Sequence, residues 1–325
     1  MNILLICCNS LYCQQRTLQK KTTGFKFCPG MLSAVKSVVL AVLAVLIAIL
    51  WNTELFLPTV RHLALLTVRE PVVHSTAHLP WAQYIRTNLS LILEEYHSTF
   101  TQRQIKPYTY KLYYPPELHR VCPTENWFMA DLRVFGHDLE LGSLHFPKTL
   151  HILHRLGIKD AAISLLEPGA EILEHRSRYF GIYRYHLTLL GATDEDKACK
   201  LVVYEERTGL WDAPEVGERI LEKPAENIAR HSIPWIPGHD ILFDPTATHA
   251  STCEHSRDMS RVVFLFNVPR HFVDDYDEQN GLVDNIRRVW SRWINTLYTW
   301  LVMRHVDVEP MLDHLNSIQT SMVFA

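Results

Sequence analysis

Between Ser164 and His186 the chain reads SLLEPGAEILEHRSRYFGIYRYH, gathering Ser164, His175, Arg184 and His186 in a stretch patterned as strand, turn and returning strand. A second stretch, FDPTATHASTCEHSRDMSRVVFLF from Phe243 to Phe266, adds His249 and Arg261. Neutral imidazoles ligate metals, and guanidinium groups pair bidentately with carboxylates. The two stretches are expected to fold together around one metal ion.

Strand geometry states what such a site requires. Side chains alternate across a strand, so Arg184, His186 and Thr188 share one face, and Tyr183, Tyr185, Leu187 and Leu189 share the other. Along the last strand Arg261, Val263, Leu265 and Asn267 fall together, and Ser164 lies with Ala162 and Leu166. If the polar faces turn inward, Arg184, His186, Arg261 and Ser164 converge on one cavity. Two buried guanidinium groups are then tolerable only beside an anion, and a dicarboxylate meets that need. The opposite arrangement puts the aromatic faces inside and leaves Arg and His in water. Periodicity does not choose between the two.

The elements that must position these residues are mostly short β-type runs. AAISLL, GIYRYHLTLL, KLVVYEE, HDILFD and RVVFLFNV are separated by EPGAE, GATDED, WIPGHD and DPTATH. This spacing predicts an antiparallel sandwich or small barrel, an architecture whose jelly rolls include metal-holding cupins. Phe146–Ile158 reads as a helix on the outside of a sheet. Its His151 and His154 sit one turn apart, but with no partner carboxylate they are expected to be a surface pair. Residues 56–103 have helical spacing, and residues 107–123, rich in Tyr and Pro, lead into the main domain. In Val283–Met303, Val283, Ile286, Trp290, Trp293, Leu297 and Leu301 recur at helical period, with Arg287, Arg288 and Arg292 elsewhere. This amphipathic helix is expected to pack on the barrel; the membrane interface is its alternative.

Composition bounds the rest. A 325-residue chain that is 47% hydrophobic and 21% charged is globular and long enough for a sizeable core. A net charge of −3 and the absence of any nucleic-acid motif set polyanionic partners aside. Four of the seven cysteines (Cys7, Cys8, Cys13, Cys28) precede any plausible fold. Cys122, Cys199 and Cys253 lack CxxC spacing and fit either one disulfide with one free thiol or three thiols. Residues 1–30 carry Arg16, Lys20, Lys21 and Lys26 without an acid, and residues 31–51 end in the uncharged run VVLAVLAVLIAILW. The run is long enough to span a bilayer, and the charge bias leaves the N-terminus cytoplasmic. The chain is therefore expected to be a single-pass type II membrane protein, its catalytic domain lumenal (ER or Golgi) in a eukaryotic host. The sequon Asn88-Leu-Ser90 agrees with that side. The expected division is a tail (1–30), a signal-anchor (31–51), a membrane-proximal helical region (52–114), a main domain (115–270) and a C-terminal helical segment (271–325).

The motifs FPKT (Phe146–Thr149), ISLLEPGAEILEH ending at His175, RYHL (Arg184–Leu187), ILFDPTATHAS containing His249, and RVVFLFNV from Arg261 stand in an order that resembles the aspartyl/asparaginyl β-hydroxylase family. The resemblance covers roughly residues 115–270, and the 11-residue intervals from Ser164 to His175 and from His175 to His186 belong to it. It implies a mainly β, cupin-type double-stranded β-helix with flanking helices. It also implies an Fe(II)- and 2-oxoglutarate-dependent dioxygenase that uses O2 to hydroxylate an unactivated C–H bond, releasing succinate and CO2. Carried over, the two iron-ligand histidines fall on His175 and His249. Arg184 and His186 take the near carboxylate of 2-oxoglutarate, and Ser164 and Arg261 the far one. The acid that usually completes the two-His, one-carboxylate triad is absent, and Ser177 stands in its place. The family leaves that position to water.

Two departures bear on substrate. Relatives acting on protein aspartate or asparagine surround the site with further basic residues, whereas positions near the site that could hold such groups carry Ala162 and Ile182 here, and the His249–Arg261 loop is longer than the family's. A peptidyl aspartyl/asparaginyl β-hydroxylase, with EGF-like domains as candidate partners, is the leading expectation. A membrane-lipid acyl-chain hydroxylase of the same fold is its alternative. A non-catalytic membrane-anchored cupin that binds a partner or metal is the third, and intact His175, His249, Arg184 and Arg261 argue against it.

Overall fold

The computed structural model describes residues 71–112, 119, 121–177, 182–194, 198–205, 218–220, 228–253, 260–274 and 308–323. All of them belong to one of two compact units, Leu57–Ala325. The apolar run at 31–51 and the helix expected at 283–303 lie outside the described residues. Among the described residues no helix is long and apolar enough to cross a membrane.

The fold is mainly β, built as two antiparallel sheets. The larger contains β1 (Val73–His74), β2 (Tyr108–Thr109), β3 (Trp127–Val134), β4 (His137–Asp138), β5 (Ala161–Leu166), β7 (Ile182–Leu190), β11 (Asp240–Phe243) and β13 (Arg261–Pro269). Its order is β1-β11-β7-β13-β5-β3-β2, with β4 on β3. The smaller runs β10-β8-β12-β6-β9, from β6 (Glu171–Ser177), β8 (Lys200–Tyr204), β9 (Glu218–Ile220), β10 (Arg230–Pro234) and β12 (His249–Thr252). From β5 to β8, and again from β10 to β13, each successive strand crosses to the other sheet. The β5–β6 crossing is made by Glu167-Pro-Gly-Ala170, where Ala170 N–H donates to Glu167 O at 3.1 Å and Gly169 sits at φ 72°. Proline then glycine is what a type II turn asks for.

Both faces of the large sheet are buried, which settles the question periodicity left open. Tyr183, Tyr185, Leu187, Leu189, Phe264 and Phe266 face a core shared with helices α1 (Pro80–Thr87), α2 (Leu89–Tyr96), α3 (Glu140–His145) and α4 (Pro147–Leu156). Trp81 of α1 packs edge-on against Tyr185, with ring centroids 5.2 Å apart. The opposite face, with Ala162, Leu166, Ile241, Phe243 and Val263, meets Ile172, Leu201 and Val203 of the small sheet. The aromatic faces are therefore buried under helices, and the polar faces turn toward the space between the sheets. Each fully buried side chain of this size contributes roughly 1.5–3 kcal/mol.

Two helices are capped by side chains from distant segments. Phe146, at the start of α4, offers no capping oxygen, so Glu95 of α2 accepts from Lys148 N (2.8 Å), Thr149 N (2.9 Å) and Thr149 Oγ1 (2.7 Å). Leu139 is as mute at the start of α3. Asn316 and Gln319 of the C-terminal helix α6 (Val308–Val323) accept there from Glu140 N and Leu141 N, both at 3.1 Å. Each such carbonyl or carboxylate satisfies donors that a helix leaves open at its N-terminus. A four-residue helix, α5 (His271–Asp274), follows β13. His151 is exposed, and His154 Nε2 meets Asp138 on the surface at 2.8 Å. Asn88 of the sequon is half-buried, its side-chain amide donating to Tyr84 O at 2.8 Å. Cys199 and Cys253 form a disulfide joining the start of β8 to the end of β12, and Cys122 is a buried free thiol.

Candidate active site between the sheets

His175 on β6 and His249 on β12 are direct register partners, and their ring centroids lie 4.2 Å apart. A β-bulge brings this about: Ser251 pairs with Ile172, so Leu173 and Glu174 of β6 together oppose the single Ala250 of β12. The extra residue lets Ile172 and His175, at odd spacing, both face inward. Bulges re-aim side chains in this way beside functional sites. The carbonyl of Leu173 within the bulge accepts from His175 Nδ1 at 2.7 Å, and Ala247 O accepts from His249 Nδ1 at 2.9 Å. A carbonyl only accepts, so each Nδ1 carries the hydrogen and the neutral ring's lone pair is on Nε2.

A second group lines the large sheet. Arg184 and His186 on β7 and Ser164 on β5 face inward, as does the buried Arg261 at the start of β13. Ser164 Oγ accepts from Trp127 Nε1 at 3.0 Å, so its own hydroxyl hydrogen is left to donate elsewhere. Phe243 joins the two groups, touching His249 (centroids 5.1 Å) and His186 (5.3 Å). Trp235, in the connection from β10 to β11, lies 28° from coplanar with His186 at 5.9 Å, and Arg261 Cζ sits 4.3 Å from its ring centre.

The electrostatics follow from burial. Arg261 is 2% exposed and pairs with no carboxylate among the described residues; desolvation pulls its pKa down to about 9. His186 is held well below the usual imidazole range by burial, then by Arg261 and Arg184. His249 is lowered likewise, by burial first and then by His175, with Arg184 and His186 adding to it. Buried atoms with no hydrogen-bond partner among the described residues gather on this inner face: both ring nitrogens of His186, Thr188 Oγ1, Trp235 Nε1, Arg261 Nε and Asn267 Oδ1. Orphans of this kind cost about 1–3 kcal/mol each when nothing meets them.

Among the described residues no group of three His, Cys, Asp or Glu side chains could hold a metal. Ser177 ends β6, buried, its N–H donating to Pro245 O at 2.7 Å. Asp244, the nearest acid before His249, is already engaged. Its Oδ1 accepts from Thr246 N and Oγ1 (2.9 and 2.7 Å), and its Oδ2 accepts from Arg270 at 2.7 Å in a fully buried ion pair. It caps the turn that delivers His249. Glu174 is turned to the other face, where it accepts from Tyr204 Oη at 3.1 Å. Ser164, His175, Arg184, His186, His249 and Arg261 all reach the space between the sheets. Sequence reasoning missed Trp127, Trp235, Phe243 and Arg270. The one available signal was alternation, which puts Phe243 and Ile241 on a single face.

A family profile described as aspartyl/asparaginyl beta-hydroxylase matches residues 83–216. An ornithine lipid ester-linked acyl 2-hydroxylase from Rhizobium tropici is 27% identical over 128 residues, 39% of this chain and 45% of that protein. The chain thus spans under half the length of that curated relative. Among solved structures, a Pseudomonas putida prolyl-4-hydroxylase overlaps 66% of this chain and 99% of its own, at 13% identity and TM-score 0.35. An oxidoreductase of the 2OG-Fe(II) oxygenase family from Burkholderia pseudomallei overlaps 46% and 71%, at 13% identity and TM-score 0.32. His249 and Arg261 lie beyond the matched residues, while Ser164, His175, Ser177, Arg184 and His186 lie within them. The resemblance read from the motifs thus holds over residues 83–216, where the aspartyl/asparaginyl beta-hydroxylase profile matches.

Proposed function

We propose that this chain is an Fe(II)- and 2-oxoglutarate-dependent hydroxylase built on a cupin-type double-stranded β-helix. The observation that carries the reading is Arg261: a buried guanidinium with no carboxylate among the described residues, beside polar atoms that also lack partners there and a histidine pair whose Nε2 lone pairs are preset. His175 and His249 would hold a metal ion, with Ser177 standing where the usual carboxylate ligand is absent. A dicarboxylate fits Arg184 and His186 at one end and Ser164 and Arg261 at the other. When bound, iron and 2-oxoglutarate supply the O2-dependent oxidation of a C–H bond. The chain's own part is to fix the two imidazoles by their Nδ1 hydrogens, to neutralise the dianion, and to keep water out with Phe243 and Trp235.

For the substrate we propose a lipid acyl chain. The Rhizobium relative is named for that activity, and the inner face carries Ala162 and Ile182, buried and uncharged. A peptidyl aspartate or asparagine is the second reading, favoured by the family description. Lumenal placement behind a signal-anchor at 31–51 agrees with the Cys199–Cys253 disulfide, since such bonds persist in oxidising compartments.

The test is to incubate the full-length chain in detergent with Fe(II), ascorbate, 2-oxoglutarate and O2, following succinate with lipid extracts and with EGF-like peptides in turn. Stimulation by lipid alone supports the acyl reading, and stimulation by peptide alone replaces it. Absence of both turnover and 2-oxoglutarate binding leaves a non-catalytic module.

A further inference from the structure

One inner-face residue, so far given only the task of excluding water, touches two groups of the dianion site. Trp235 is 1% exposed, and its backbone N–H donates to Cys199 O at 2.9 Å, beside the Cys199–Cys253 disulfide. That bond fixes where the indole enters the space between the sheets. Gly191 admits the same stretch of backbone: a Cβ there would meet Trp235 O at 3.2 Å. The indole meets Arg261 Cζ at 4.3 Å and His186 at 5.9 Å, so one rigid ring system contacts a group at each end of the dianion site. Its Nε1 has no hydrogen-bond partner among the described residues.

An indole in that place does two things. Its negative ring face attracts the Arg261 guanidinium and offsets part of the desolvation that lowers this group, without neutralising it. It also gives both groups one rigid surface: aromatic rings have few rotatable bonds, so Arg261 and His186 each rest against a wall of fixed position.

We propose that Trp235 is a specificity-determining residue whose indole fixes the spacing between Arg261 and His186 and so sets the chain length of the dicarboxylate accepted. The proposal rests on the dicarboxylate reading of this face and adds its selectivity for a five-carbon acid over shorter and longer homologues.

Calorimetric titration of the full-length chain with Mn(II) in place of iron tests this without turnover. The ligands are oxaloacetate, 2-oxoglutarate and 2-oxoadipate, with four, five and six carbons. Wild type should bind 2-oxoglutarate most tightly. Trp235→Leu should weaken 2-oxoglutarate about 30-fold, as loss of a desolvated cation–π contact does. Its ratio of 2-oxoadipate to 2-oxoglutarate affinity should also rise, while Trp235→Phe, which keeps the stack, stays near wild type. A merely structural role would weaken all three acids together, so an unchanged ratio in Trp235→Leu overturns the proposal alone. Trp235→Met makes the same comparison if the leucine variant does not fold. Failure of wild type to bind any of the three acids overturns the dicarboxylate reading and this proposal with it.

Discussion

His175 and His249 are held by the same device from adjacent strands: each ring donates its Nδ1 hydrogen to the carbonyl two residues earlier in its own chain, Leu173 and Ala247. His186 has neither tether, since both its ring nitrogens lack partners among the described residues. The tether fixes the tautomer and ring plane that a metal ligand needs. His175→Ala and His249→Ala are therefore expected to abolish Mn(II) binding measured by calorimetry, while His186→Ala retains it. Equal loss in His186→Ala would remove the assignment.

Arg261 sets stability against ligand binding. A buried, uncompensated cation destabilises, and a well-packed apolar replacement of similar length often stabilises by about 1–4 kcal/mol. Arg261→Met should therefore raise the melting temperature in the absence of dicarboxylate and lose the upward shift that 2-oxoglutarate gives wild type. In turnover, Arg261→Ala should raise the KM for 2-oxoglutarate roughly 30-fold or more, with a smaller effect on kcat at saturation. An unchanged KM would detach Arg261 from the anion site.

Much of this site was legible because strands impose period two. Arg184, His186 and Thr188 had to share a face, and so did Arg261, Val263, Leu265 and Asn267. Which face turned inward depended on something alternation does not encode: whether helices cover the other side. Here α1, α2 and α4 do, so the aromatic face is buried as well. His175 was harder, because the bulge in β6 breaks the alternation that would place it relative to Ile172. Trp235 and Trp127 were unreadable for another reason. They act by contact with residues 26 to 49 positions away along the chain, and single-sequence spacing carries no signal for such contacts. The capping role of α6, which lies within the expected C-terminal helical segment, escaped notice for the same reason, since its Asn316 and Gln319 matter through Glu140 and Leu141.

The Asp244–Arg270 pair is wholly buried, with side chains 1% and 0% exposed. Arg270 also lies over Tyr183, its Cζ 4.5 Å from the ring centre. Removing the cation strands a carboxylate that caps the turn leading into His249. Arg270→Met should cost about 3–5 kcal/mol in urea unfolding. Asp244→Asn combined with Arg270→Met should recover part of that loss, because no buried charge remains. If the double variant is no more stable than Arg270→Met, the cost lies in packing rather than in the stranded charge.

Asp131 gives the fold a pH dependence of its own. It is buried on β3 and accepts a hydrogen bond from Tyr108 Oη. Burial raises its pKa from 3.8 to about 7; the Tyr108 bond opposes the rise, and buried Asp160 adds to it. Between those two values the folded chain keeps a proton that the unfolded chain has released. Stability from this group is therefore complete below about pH 4, falls as pH rises toward 7, and is level above that. The gap corresponds to roughly 4 kcal/mol in all, of which about 3 kcal/mol falls between pH 5 and pH 8. Asp131→Asn cannot ionise and can still accept from Tyr108, so its stability should change less over that interval. Urea unfolding at the two pH values measures the difference directly. Parallel losses in wild type and variant would assign the dependence to Asp160, whose pKa burial also raises.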